Sequence, residues 1–303
     1  MYFNIEDYLN SLPLDTKIID VSKKRLTYLP DLSRFKELTL LDCSHNMFKK
    51  LPPLNDKLIT LRCYDNLLTE LPPLNNNLTC LLCYDNWLTE LPHLNDKLIN
   101  LSCYKNRLTW LPPLNDNLYY LNCYDNLLTE LPPLNDKLYR LNCADNKLTW
   151  LPPLNNILTE LYCYKNLLVY LPHLNDSLTL IMCDKNKLTT LPLLNENLQY
   201  FDCNFNNLNY IPCLNATYNA LERSYDLRLT HINDIRTQNE ILYNFRKTYY
   251  TLKFKKHFKR WLWEKVREPK IMAKFHPSHL TNLLDTDDLE VFLEDWIKND
   301  FVK

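Results

Sequence analysis

Apolar residues return along this chain in a frame of fixed spacing. In one copy they fall at Leu58, Leu61, Cys63, Leu68, Leu71 and Leu74, with a polar slot at Asn66. Twenty residues later the same frame reads Leu78, Leu81, Cys83, Asn86, Leu88, Leu91 and Leu94. The asparagine recurs at Asn46, Asn66, Asn86, Asn106, Asn126, Asn146, Asn166, Asn186 and Asn206 without slipping by a residue. Self-similarity at such a period marks a solenoid. A unit of 20 residues holds one short strand and a return path, with no room for a helix. Leu61 and Cys63 stand two apart, so as strand residues they point to the same side, into the stack. Pro72 and Pro73 favour an extended, polyproline-like return. Asn66 suits a tight turn, where its amide can bond backbone groups that would otherwise be unpaired.

The frame loosens at both ends. Ile19, Val21, Leu26, Leu29, Pro30 and Leu32 fit it, but Lys24 stands in the asparagine slot, and the step to the next coil is 22 residues. This predicts one degenerate coil and then nine regular coils from Leu38 to about Leu214. Residues 1–17, with a short helical turn within Asn4–Leu9, are expected to cap the open end, because a terminal coil exposes its core. From Ala216 the period becomes helical. Ile235, Leu242, Phe245, Tyr249, Leu252, Phe258, Leu262 and Val266 fit one helix face. Pro269 and Pro277 break it, and Thr286 with Asp287 and Glu290 signals a further helix over 288–297. The expected organisation is a cap over 1–17, a solenoid over 18–215 and a helical domain over 216–303.

The spacing L-x-x-L-x-C-x-x-N-x-L followed by L-P-x-L resembles the leucine-rich repeat, over roughly residues 18–215. A 20-residue unit ending in Leu-Pro-Pro-Leu is similar to the shortest subtype, found in bacterial effector proteins. The resemblance implies short parallel strands on a concave face and an extended, polyproline-like convex side. It also implies a non-catalytic protein-interaction module. The run from Trp261 to Ile271, followed by His276-Pro277-Ser278-His279-Leu280, resembles a C-terminal segment on proteins of amoeba-infecting giant viruses. That likeness implies a viral protein with a host protein as partner, and it carries no catalytic residues. The absence of glycine and the wealth of Asn, Lys, Leu and Tyr agree with an AT-rich genome.

The side chains that the stack does not need are the candidates for recognition. The residue after the ladder cysteine is Tyr64, Tyr84, Tyr104, Tyr124 and Tyr164, interrupted by Ala144 and followed by Asp184 and Asn204. Variable residues flank this row, among them Arg62, Leu82, Tyr120, Arg140, Tyr162, Met182 and Tyr200. Tyr, Arg and Met are enriched where interfaces concentrate binding energy. A charge row runs beside the tyrosines through Asp65, Asp85, Lys105, Asp125, Asp145, Lys165 and Lys185. The tyrosines would also stiffen the stack, since cross-strand aromatic pairs stabilise sheets. On the return side, Trp110, Trp150, Tyr170 and Tyr210 stand in a row otherwise marked by Glu70, Glu90 and Glu130. They are expected to pack over neighbouring proline rows.

Several chemistries are excluded or disfavoured. Nine of the 11 cysteines occupy one inward slot, from Cys43 to Cys203. Buried thiols there act as small hydrophobes and point to a reducing compartment, which the viral resemblance implies is the host cytoplasm. Cys80 and Cys83 form a C-x-x-C, but alternate strand faces set them apart, and no second pair completes a zinc site. His93 and His173 share a slot four coils apart, roughly 19 Å, too far for one ion. Without glycine there is no Gly-rich phosphate loop, and without a thiol beyond Cys213 the tail has no cysteine nucleophile. No catalytic residue, metal or cofactor, and no small-molecule substrate, is expected. No run of 18 apolar residues and no basic, apolar leader is present, so neither a membrane span nor secretion is expected.

The net charge of −1 does not mark a nucleic-acid binder. Within 246–274, however, 11 Lys or Arg face two Glu, interleaved with Trp261 and Trp263. That segment gives one alternative, nucleic-acid or anionic-surface binding. Acidic residues from Asp285 to Asp300 would neutralise it. A second alternative is an adaptor for a ubiquitin ligase, since Pro277, Leu280, Leu283, Leu284, Asp288 and Leu289 faintly resemble an F-box.

Overall fold

The computed structural model describes residues 3–195 and 197–208. The helix and adaptor segments expected between 216 and 303 lie outside these residues, as does Tyr210.

One short helix, α1 (Ile5–Ser11), precedes ten three-residue strands. These are β1 (Ile18–Asp20), β2 (Leu40–Asp42), β3 (Thr60–Arg62), β4 (Cys80–Leu82), β5 (Asn100–Ser102), β6 (Tyr120–Asn122), β7 (Arg140–Asn142), β8 (Glu160–Tyr162), β9 (Leu180–Met182) and β10 (Tyr200–Asp202). They form a single parallel sheet in sequence order. The repeat is also the register: Thr60 pairs with Cys80, and Cys80 with Asn100. The longer first step leaves the register intact, since Ile18 pairs with Leu40. Its two extra residues lie in a turn closed by Phe35 N–H on Leu32 O, with the Phe35 ring fully buried.

Each coil buries the same apolar slots. Leu58, Leu61, Cys63 and Leu68 are wholly enclosed, as are Leu118, Leu121, Cys123 and Leu128 four coils on less one. The core is therefore a column of leucine and cysteine running through the stack. At the start, Asn4 caps α1 by accepting from the N–H groups of Glu6 and Asp7, while Ile5 and Leu9 bury themselves against the first coils.

Two asparagine ladders hold the turns. In the first, Asn66 donates from Nδ2 to the carbonyls of Cys43 and Cys63 and accepts the Phe48 N–H. Each amide thus ties its own coil to the preceding one. The second ladder was not anticipated from the sequence. Asn75 donates to Asn55 O, Asn95 to Asn75 O and Asn115 to Asn95 O, at 2.6, 2.9 and 2.7 Å. It fastens the far end of each return path.

The residue before the first-ladder asparagine has positive φ in every coil, from His45 at 54° through Lys105 at 51° to Phe205 at 54°. The charge row is thus also a backbone requirement. Aspartate tolerates the left-handed region better than lysine does, and glycine, which would be free of strain, is absent from the chain. Lys105→Gly is expected to raise stability by about 0.5–1 kcal/mol, because the lost ion pair to Asp85 is exposed and weak. A denaturant midpoint unchanged or lowered in that variant would contradict the strain.

Candidate functional site

Alternation within each strand turns Leu61 and its equivalents into the core and leaves the flanking pair on the outer face of the sheet. With the residue two places beyond, this gives three parallel rows across all coils. The middle strand residue is buried throughout, whereas Thr60, Cys80, Tyr120, Arg140 and Glu160 are half-buried. Cys80 accordingly lies on this face and Cys83 in the core, so the C-x-x-C is split.

The tyrosine row is a stack of rings. Tyr64 and Tyr84 lie 4.3 Å apart at 10°, and Tyr84 and Tyr104 lie 4.2 Å apart at 9°. Tyr104 and Tyr124 are tilted at 6.2 Å. Ala144, itself buried, does not break the row, because the rings of Tyr124 and Tyr164 lean together across it to 6.3 Å. His45 closes the other end edge-on to Tyr64 at 5.0 Å. Burial pushes the hydroxyls of Tyr84, Tyr104 and Tyr164 above their ordinary titration range, with neighbouring tyrosines adding to this at Tyr84 and Tyr164. They are neutral donors and acceptors at physiological pH.

A second group lies where β6, β7 and β8 meet. The Arg140 guanidinium sits between the rings of Tyr120 and Tyr162, at 5.6 and 5.1 Å. Its Nε is 3.0 Å from Glu160 Oε2, an ionic contact without an aligned N–H. Tyr162 Oη donates to the same carboxylate oxygen at 2.8 Å. Parallel register makes this possible, since Arg140 pairs with both Tyr120 and Glu160.

The remaining candidates are spread along the face. Arg62 is exposed and reaches Asp42 at 3.4 Å. Leu82 and Met182 are half-buried at the outer ends of β4 and β9. Tyr200, also half-buried, opens β10 beside Leu180. The stack and the Arg140 group are thus brought together, whereas Arg62 lies four strands from Arg140. Sequence reasoning overlooked Glu160 as a partner of Arg140, and it overlooked Tyr119 and Tyr139, which stack at 4.9 Å and 3° just before their strands. Their separation by one repeat was the available signal.

On the return side, Trp110, Trp150 and Tyr170 stay 46, 38 and 53 % exposed. Two open clefts of about 470 and 410 Å³ occupy equivalent places there, one beside His173 and Pro153, the other beside His93 and Pro73. Among the described residues, no group of three His, Cys, Asp or Glu side chains could hold a metal ion. None of the described helices is long and apolar enough to cross a membrane.

No family model and no curated protein matches the chain. Solved structures do. The leucine-rich effector protein YopM from Yersinia pestis is similar at 33 % identity, over 67 % of this chain and 58 % of that one, with a TM-score of 0.64. YopM from Yersinia enterocolitica is similar at 26 % identity, over 69 % of this chain and 55 % of that one, with a TM-score of 0.53. The functional domain of InlJ from Listeria monocytogenes, which includes a cysteine ladder, is similar at 28 % identity, over 66 % of this chain and 49 % of that one, with a TM-score of 0.51. The chain thus spans about half the length of these proteins. Its parallel β-solenoid matches the leucine-rich-repeat architecture, and its structural neighbours are bacterial proteins of that kind.

Proposed function

We propose that the chain is a non-catalytic protein-interaction module that binds a host protein through its strand face. The observation that carries this reading is the continuous tyrosine stack, flanked by side chains that change from coil to coil and that the core does not use. Stacked rings are already ordered before binding, so a partner that settles on them costs little side-chain entropy. Arg140, Tyr120 and Tyr162 add a second rigid anchor of the residue types that dominate interface energetics. Likeness to a leucine-rich effector protein supports a binding role. The free thiols of the ladder agree with a reducing compartment, and host cytoplasm belongs to the same proposal.

Affinity capture from host lysate identifies the partner. Tyr84→Ala, Tyr104→Ala and Tyr124→Ala together are then expected to weaken it by about 1 kcal/mol or more per side chain, in a titration against the purified partner. Undiminished affinity in a triple variant whose circular dichroism matches the wild type would remove the strand face as the binding surface.

A further inference from the structure

Hydrogen-bond donors without partners gather where β6 and β7 meet. Asn122 ends β6 and Asn142 ends β7, and the two pair directly in the sheet. Each Oδ1 accepts the backbone N–H two residues on, from Tyr124 at 3.3 Å and from Ala144 at 3.2 Å. Those bonds fix the amides, so the nitrogens are the ends left over. Neither Nδ2 has a hydrogen bond among the described residues, and neither is sealed from solvent. The turn itself does not need them. In the same slot of other coils Asp20, Asp42 and Asp202 accept the N–H groups of Ser22, Ser44 and Asn204 in the same way. An acceptor is all that the fold requires there, and the amide nitrogens of Asn122 and Asn142 are surplus to it.

Arg140, two residues before Asn142, is spent on one edge only. Its Nε lies 3.0 Å from Glu160 Oε2, and its Nη2 donates to Tyr162 Oη at 3.3 Å. Nη1 has no partner among the described residues, and the side chain is 40 % exposed. Tyr120 Oη, from the ring beside this guanidinium, is also unpaired among the described residues. Glu160 lies on β8, on the other side of β7 from Tyr120 and Asn122.

Resting on the strand-face reading above, we infer that this surface binds a carboxylate. The partner lays an acidic segment across β6 and β7, with an Asp or Glu side chain on the open edge of Arg140 and neighbouring acceptors on Asn122 and Asn142. A carboxylate carries acceptors only, and its two oxygens match the parallel N–H groups of a guanidinium edge. A lysine or arginine would set donors against donors, and an amide would bring its own NH2 group against them. Glu160 balances the charge of Arg140, so the preference arises from hydrogen bonds at contact rather than from attraction at a distance.

The test uses the full chain and labelled peptides of alternating Asp and Ser, Asn and Ser, or Lys and Ser, read by fluorescence anisotropy. The Asp peptide is expected to bind about fivefold or more tightly than the Asn peptide, and the Lys peptide not to bind. Asn122→Asp with Asn142→Asp keeps the acceptors that the turns need and removes the donors, and is expected to lower affinity for the Asp peptide by about fivefold or more. Arg140→Lys, which keeps the charge but not the planar fork, is expected to lower it similarly. Asn76→Asp with Asn156→Asp, an equal change of charge at exposed return-side positions that hold Asp in other coils, is expected to leave it unchanged. An Asp peptide bound no more tightly than the Asn or Lys peptide, or equal losses in both double variants, overturns the inference. A captured partner that needs the tyrosines but binds the Asn122 and Asn142 double variant as well as the wild type also overturns it, while sparing the strand face. A partner indifferent to the tyrosines but weakened by that double variant overturns the tyrosine stack as the binding surface and leaves the carboxylate site standing.

Discussion

Asn126→Ala should destabilise the solenoid by roughly 3 kcal/mol, and Asn126→Asp by more. Asn126 is 6 % exposed and uses its whole amide. Its Nδ2 donates to the carbonyls of Cys103, Cys123 and Tyr124, and its Oδ1 accepts the Leu108 N–H at 3.0 Å. The losses are unequal. Cys103 O keeps a bond from Asn106, Cys123 O keeps one from Asn146, and Tyr124 O keeps the Lys105 N–H. Leu108 N–H keeps nothing, and an orphaned buried donor costs about 1–3 kcal/mol, to which the remaining lost bonds and a small void add. In the aspartate variant Leu108 retains its acceptor, but a carboxylate oxygen now faces three carbonyls. That favours the protonated acid, so the folded-state pKa is raised and stability is recovered as pH falls. Because each coil contacts only its neighbours, the damage sits in mid-stack and should divide one unfolding transition into two. Urea titrations at pH 7 and pH 5 check both points. An aspartate variant no less stable than the alanine variant at pH 7, or one indifferent to pH, would refute this account of the ladder.

The two ladders also show where a sequence can be read and where it cannot. Asn126 was legible because its slot never slips and because a polar residue amid leucines must have a buried partner. Asn75 and its equivalents recur as faithfully, yet they follow Leu-Pro-x-Leu and mostly precede Asp or Asn, where any turn would place an asparagine. Only the coordinates reveal that Asn95 donates to the coil before it. The row of Asp65, Asp85 and Lys105 misled for a different reason. Its charges suggested recognition alone, while its positive φ is a backbone demand that lysine disguises and that glycine would have announced. At the candidate site, the stack from Tyr64 to Tyr104 followed from the repeat, since one strand spacing brings identical rings to stacking distance. The contact across Ala144 did not, because alanine reads as a gap and only the length of a tyrosine lets two rings close it. The Arg140 group needed a diagonal, with Tyr162 two places beyond the residue directly opposite Arg140. Spacing by repeats alone does not show such a neighbour.

The thiol column should make this protein unfold in alkali near pH 10. All nine ladder cysteines are free and buried. Burial pushes the thiols of Cys83 and Cys123 from about 9.0 up to about 12, and those of Cys63, Cys103, Cys143 and Cys183 upward as well, with neighbouring thiols contributing. In the unfolded chain the same groups ionise at their ordinary value. Between pH 9 and 12 the unfolded state therefore binds fewer protons than the folded state, and stability falls as pH rises. Each thiol contributes about 1.4 kcal/mol per pH unit across that window. One unit above the ordinary thiol pKa, nine of them amount to on the order of 10 kcal/mol, comparable with the whole stability of a typical domain. The raised hydroxyls of Tyr84, Tyr104, Tyr162 and Tyr164 act in the same direction at higher pH. Far-UV circular dichroism in the presence of a reductant is expected to show cooperative loss of structure near pH 10. Cys83→Ala, Cys103→Ala and Cys123→Ala together remove three of the nine titrating groups. That variant should be less stable at pH 7 because of its voids, yet lose stability with pH about a third less steeply. If urea midpoints of the wild type stay level from pH 8 to pH 10, the thiols are not held neutral by the stack, and the column is wetter than its packing implies.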